Sequence, residues 1–186
     1  MATVTLRDDN RVVEGEERDA LLASAGIWFR RFAGSDRLPE DAGNEEILAA
    51  YDEPIRALMT EGGYVTADVI NVRPETPGLE AMLARFNKEH WHDEDEVRFI
   101  VHGRGLFHIH HPEGPVFSIE VEKGDMIRVP RGTRHWFDLC ADRTIRAIRL
   151  FQDASGWTPH YTDSGAEARV QPLCFGPTYI PFHPGV

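Results

Sequence analysis

Apolar and polar positions change rhythm once along this chain. In residues 41–61 (DAGNEEILAAYDEPIRALMTE) Ile47, Leu48, Tyr51, Ile55, Leu58 and Met59 recur at three- and four-residue spacing, which predicts an amphipathic helix. Pro54 must break or kink it, because proline has no amide hydrogen, and Gly62-Gly63 ends it. A second helical stripe, Leu79, Met82, Leu83 and Phe86, predicts a short helix over 78–88. Val4 and Leu6 alternate with Thr3 and Thr5 in a short N-terminal strand, and residues 14–25 read as a helical or turn segment. Ile27–Phe32 and Tyr64–Val72 read as strands, the second stopped by Pro74. From Trp91 onward the segments become short and β-prone: VRFIV, LFHIHH, VFSIEV, MIRV, HWFDL and TIRAIRLF. Turn signals separate them at 102–105 (HGRG), 112–115 (PEGP), 122–125 (EKGD), 130–132 (PRG) and 140–143 (CADR), and Gly103 and Gly105 are expected to end the first strand. Such regular spacing predicts an antiparallel sandwich or barrel. The aromatic tail (Trp157, Tyr161, Phe175, Tyr179, Phe182) is expected to lie over it.

Length and charge narrow the function. A chain of 186 residues suits one domain with a sizeable core. We expect a single domain over 1–186, with a helical and β N-terminal part (1–82), a β core (83–151) and a C-terminal segment packed on it (152–186). The net charge of -11 argues against nucleic acid and anionic membranes as partners. It leaves room for a small anionic substrate, since local arginines can override the global field. Cys140 and Cys174 are too few for a disulfide framework, so free buried thiols are expected. No secretory signal or run of membrane-span length is read, and a cytoplasmic setting is expected.

The stretch EHWHDEDEVRFIVHG (89–103) carries the candidate chemistry. Side chains alternate faces in extended chain, so His90 and His92 point the same way, as do Glu96 and Arg98. Two imidazoles and a carboxylate on one side make a facial site for a divalent transition metal, with positions left open. His135, in GDMIRVPRGTRHWF, is the candidate for a third imidazole. His108 and His110 also alternate, with His111 after them, but no carboxylate follows at ligand spacing and no metal role is expected there; His102, His160 and His183 are read as surface or tail residues. Asp93 and Glu94 are read as solvated acids.

The blocks H-x-H-x3-E-x6-G (His90, His92, Glu96, Gly103) and G-x5-P-x-G-x2-H (Gly124, Pro130, Gly132, His135) are similar to the paired signature of the cupin superfamily. That resemblance implies a mainly β fold, a jelly-roll (double-stranded β-helix) barrel flanked by N-terminal helices. Ala84 and Leu139 stand where the pattern usually has Gly and Asn, and neither position is a ligand. Within that superfamily, Phe86-x-x-Glu89-His90-x-His92, Asp95-Glu96-Val97-Arg98-Phe99, Gly103-Arg104-Gly105, Val129-Pro130-x-Gly132-x-x-His135-x-Phe137-Asp138, Arg149-Leu150-Phe151 and Gly156-Trp157 closely resemble the acireductone dioxygenases.

This second resemblance implies one Fe(2+) or Ni(2+) per monomer, held by His90, His92, Glu96 and His135. It makes Phe86 and Phe137 pocket walls, Arg149 a second pocket cation in competition with Arg146, and Glu89 and Asp95 residues for metal loading or conformational relay. Arg98 is the expected catalytic cation, bringing a bound dianionic enediol and the metal site to neutrality. The implied substrates are an acireductone, 1,2-dihydroxy-5-methylthiopent-1-en-3-one, and O2, in methionine salvage. With Fe(II) the family yields formate and 4-methylthio-2-oxobutanoate; with Ni(II), formate, carbon monoxide and 3-methylthiopropanoate. A monomer is expected. On the cupin signature alone, a zinc cupin isomerase or a non-catalytic metal-binding cupin stays open.

Overall fold

In the computed structural model, which describes residues 2–32, 38–39, 41–153 and 157–174, the strand expected to end at Gly103 continues through it. The chain runs β1 (Thr3–Leu6), β2 (Val12–Val13), α1 (Gly15–Ser24), β3 (Trp28–Arg31), α2 (Asn44–Ala50), α3 (Asp52–Gly62), β4 (Thr66–Val72) and α4 (Leu79–Phe86). It goes on through β5 (His90–Trp91), β6 (Glu96–His110), β7 (Val116–Glu122), β8 (Asp125–Val129), β9 (His135–Leu139), β10 (Ile145–Phe151) and β11 (His160–Tyr161), with a 3-10 turn at Glu167–Arg169. Pro54 divides the predicted helix as expected. It sits in the first turn of α3, where its missing N–H costs nothing. Gly63, in the left-handed region (φ 68°), closes α3 by donating to the Met59 carbonyl.

All pairings are antiparallel and build two sheets that share β6. One has the order β2-β1-β7-β6-β9-β5-β11; the other is β3-β8-β6-β10-β4. The first half of β6 pairs with β8 and β10, and the second half with β7 and β9. Gly103 (φ 74°) is the bend between the halves, and the β6–β10 register shifts two residues before it, where Val101 falls between the pairs Arg146–His102 and Ala147–Ile100. Here the glycine turns a strand from one sheet into the other instead of ending it, as bulges do at barrel corners.

The alternation along β6 sorts two cores. Ile100, Phe107 and Ile109 join Phe117, Ile119, Ile127 and Val129 between the sheets. Val97 and Phe99 face outward, onto Ile47, Tyr51 and Ile55 of the α2–α3 region. Each such side chain contributes on the order of 1.5–3 kcal/mol through burial. The result is the expected mainly β fold, two antiparallel sheets joined through β6, with helices from the N-terminal part laid against one of them.

The cysteine expectation is overturned. Cys140, at the start of the β9–β10 turn, and Cys174, in the tail, form a disulfide with Cα atoms 5.7 Å apart. They are 34 residues apart in sequence, and only the return of the tail along the outside of the barrel brings them together. Phe175, Tyr179, Phe182, Gly156 and His183 lie outside the described residues. No described helix is long and apolar enough to cross a membrane.

Candidate metal centre

Two stretches far apart in sequence, residues 90–96 and the start of β9, deliver the donors. His90 comes from β5, His92 from the turn after it, Glu96 from the first position of β6, and His135 from the first position of β9. His90 and His135 are direct register partners across β5 and β9. The ligating atoms of His90, His92, Glu96 and His135 all lie within 4.8 Å of one another, and all four side chains are buried. The spacing of the first block and the later histidine are thus brought together in one cluster. His108 and His110 do not join it. His108 bonds Ser118 on the outer side of the first sheet, at 2.6 Å, and His110 bonds Glu89 at 2.5 Å.

The proton positions show what the cluster is shaped for. The Nδ1 atoms of His90, His92 and His135 lie 2.7, 3.0 and 2.8 Å from the carbonyl oxygens of Lys88, Thr158 and Thr133. A carbonyl can only accept, so each Nδ1 must carry the proton and donate it. In a neutral ring Nε2 is then bare. His135 Nε2 lies 2.9 Å and His92 Nε2 3.4 Å from Glu96 Oε2, lone pair facing lone pair. That contact is favourable only with a cation between the atoms, a metal ion or the proton of an imidazolium. Backbone carbonyls fixing Nδ1–H while Nε2 points inward is the usual outer support of a metal-binding imidazole. The donor set therefore fits a divalent transition metal.

Electrostatics agree. Burial, with help from His135, lowers the His90 pKa to about 4, so the ring is neutral at ordinary pH. Burial also opposes the charge on His92, but the Glu96 carboxylate outweighs it and raises that pKa. Burial would push the Glu96 carboxyl up; Arg98, His135 and His92 instead hold it well below the usual carboxylate range.

Arg98 reaches the cluster directly. Its Nε donates to Glu96 Oε1 at 2.7 Å, and the side chain is buried. Its guanidinium carbon lies 5.1 Å from the centre of the Trp157 ring and 5.7 Å from that of Phe137. Phe137, two positions after His135 on the same face, packs edge-on against Phe107. Phe86 ends α4 and packs, half-buried, against the cluster that contains Phe137. Arg149 is the register partner of Arg98 on β10; it pairs with Asp68 of β4, and its guanidinium carbon is 5.7 Å from the Trp157 ring. Arg146, on the opposite face, donates to the Ala42 carbonyl and is not in this neighbourhood.

Glu89 and Asp95 flank the cluster without entering it. Glu89 is buried and accepts from His110 and Thr162; these hydrogen bonds overcome burial and lower its pKa. Asp95 accepts the backbone N–H of Arg131. Of its neighbours, both expected to be solvated, Asp93 is exposed and pairs with His160, whereas Glu94 accepts from the Gln152 amide. The Thr158 carbonyl and the ring of Trp157 are parts of the site that residue spacing did not reveal. A carbonyl leaves no mark in a side-chain pattern. Gly156-Trp157 did stand out, as a family match without an assigned role.

The sequence profile of the ARD/ARD' family matches residues 27–159. The chain belongs to the ARD/ARD' family. The acireductone dioxygenase of Picosynechococcus sp. is 42% identical over 152 residues, 82% of this chain and 86% of that protein. That of Stutzerimonas stutzeri is 46% identical over 147 residues, 79% of this chain and 81% of its relative. A solved structure of acireductone dioxygenase from Bacillus anthracis, with a cadmium ion in its active center, superposes with a TM-score of 0.80 at 37% identity, covering 87% of this chain and 98% of that one. As an ARD/ARD' member the chain is a metal-dependent dioxygenase with a His/His/Glu/His metal site.

Proposed function

We propose that the chain is an acireductone dioxygenase of methionine salvage, taking a single Fe(2+) or Ni(2+) on His90, His92, Glu96 and His135. The observation that carries this reading is Arg98 beside the donor cluster, bonded to the Glu96 carboxylate that belongs to it. When bound, the metal would supply Lewis-acid polarisation of the enediol.

The protein's own groups do the rest. Glu96 cancels one of the metal's two charges, and Arg98 cancels part of what a dianionic enediol adds. A buried, permanently protonated guanidinium favours loss of both enediol protons, because in a low-dielectric site it stabilises the anion strongly. Phe137 and Phe86 wall the apolar side, suited to the methylthio tail. Arg149 is held by Asp68 beside Arg98 and adds positive potential at the same face. Glu89, through His110 and Thr162, and Asp95, through the Arg131 amide, position the strands that carry the ligands. The enzyme acts as a monomer in the cytoplasm, on a small acireductone and O2.

The test is oxygen uptake and loss of enediol absorbance by metal-stripped protein reloaded with Fe(II) or Ni(II), with carbon monoxide assayed in the headspace. Rapid turnover with iron, and carbon monoxide with nickel alone, are expected. No turnover above the metal-free control with either metal would overturn the activity, while the donor cluster would still predict metal uptake.

A further inference from the structure

Outside the metal centre, one other cluster of metal-ligating atoms stands among the described residues: Glu120, Cys140 and Cys174, whose ligating atoms lie within 4.8 Å of one another. Glu120 and Cys140 are buried and Cys174 is half-buried. Glu120 alternates with the core residues Ile119 and Val121 on β7, so it faces out of the barrel, beneath the returning tail. Oxidised, the two sulfurs are bonded to each other. A compartment rich in dithiols opens such a bond: the S–S bond breaks, two electrons and two protons pass from the dithiol to Cys140 and Cys174, and the dithiol becomes the disulfide.

We propose that in the reduced chain Cys140, Cys174 and Glu120 bind a second, soft divalent cation of the zinc or cadmium class. Two thiols left beside a buried carboxylate offer the donors that zinc takes, two sulfurs and one oxygen, with a fourth position for water. Two thiolates and a carboxylate against a divalent cation leave one negative charge, and Arg104, which also bonds Asp142 at 3.2 Å, lies 3.8 Å from Glu120 and offsets part of it. The thiol protons leave as the cation binds.

Either form staples the tail to the same place. The described tail starts at the metal centre, where Thr158 accepts from His92 and the Thr162 amide donates to the Glu89 carbonyl. It ends at Cys174 on the β9–β10 turn. A disulfide holds it under oxidising conditions and a cation under reducing ones, so the support of His92 survives a change of redox state.

The test uses the full chain, stripped of metal, reduced with a dithiol, freed of reductant without oxygen and shown to carry two titratable thiols. Cadmium is then added while the ultraviolet thiolate-to-cadmium charge-transfer absorption is followed. The His/Glu centre contains no sulfur and adds nothing to this signal. We expect the absorption to saturate at one thiolate-bound cadmium per chain. Cys174→Ser, a tail change that leaves the barrel strands intact, should weaken binding at least about tenfold, and so should Glu120→Gln. The Glu120→Gln chain should still form its disulfide on oxidation, which separates a lost ligand from a lost fold. Absence of the absorption in fully reduced protein, or unchanged affinity in Cys174→Ser, would overturn the site.

Discussion

Arg98 and Glu96 lie two positions apart on one strand, point to the same face, and are joined there by a 2.7 Å hydrogen bond between two buried charges. One of the pair belongs to the metal cluster and the other does not, so substitution should separate binding from rate. Arg98→Ala should keep its metal and lose about 100-fold or more in kcat, as when a preorganised charge is removed from a reacting anion. Glu96→Ala should lose metal and activity together. Metal content and steady-state kinetics on the same preparations check both. Normal turnover by Arg98→Ala would end the role given to that cation.

The tail should matter to a ligand it does not contain. His92 Nδ1 donates to the carbonyl of Thr158, and β11 pairs with β5 through Tyr161 and His90. A chain cut after Gln152 removes both supports. Its metal affinity should fall about 10–100-fold, the usual cost of losing an outer-shell partner. Isothermal titration of the stripped proteins, intact and cut, measures it.

In the metal-free protein two ligand histidines should titrate in opposite directions. Burial lowers the His90 pKa to about 4, so between that value and the ordinary 6.5 the unfolded chain takes up a proton that the fold refuses. Its contribution to stability is present above pH 6.5 and is lost as the pH falls towards 4. His92 has the opposite sign. Despite burial, Glu96 raises its pKa, so its contribution is full below 6.5 and fades as the pH rises through the folded-state value. NMR titration of the imidazole protons should show His90 neutral down to about pH 4 and His92 still charged above 6.5. With metal bound, both shifts should vanish into a single loss of metal in acid.

The bend in β6 should be intolerant. Gly103 and Gly132 both have positive φ, 74° and 76°. A Cβ on Gly103 would meet the Thr144 carbonyl, whereas one on Gly132 would meet nothing within 4 Å. Gly132→Ala should cost only the backbone strain, about 1 kcal/mol, while Gly103→Ala should cost about 3 kcal/mol because the β10 backbone must also move. Urea unfolding midpoints of the two variants give the comparison.

Much of this protein could be read from local pattern. The 3.6-residue stripe through Ile47, Tyr51 and Ile55, broken at Pro54, gave α2 and α3, and alternation gave β6 with Val97 and Phe99 on one side and Glu96 and Arg98 on the other. These periods belong to the backbone itself, since side chains must follow the helical or pleated repeat wherever the chain goes. The short spacing of His90, His92 and Glu96 kept three donors in one stretch, and the reading of the residues already offered His135 as the third imidazole and Arg98 on the face of Glu96; the family resemblance added their roles.

What lay beyond the sequence depended on contacts between distant segments. A glycine can end a strand or bend it, and which it does at Gly103 depends on whether β8, β10, β7 and β9 are all present to pair with the two halves. Cys140 and Cys174 could be called free while nothing said that the tail returns to the β9–β10 turn. Arg149 acquires Asp68 only because β4 and β10 are neighbours. The carbonyl of Thr158 carries no side-chain signal at all, yet it sets the proton on His92. Residue order determines which groups are available and which way they face. The packing of segments far apart in the chain determines which partner each group meets, because hydrogen bonds and ion pairs form only within a few ångströms.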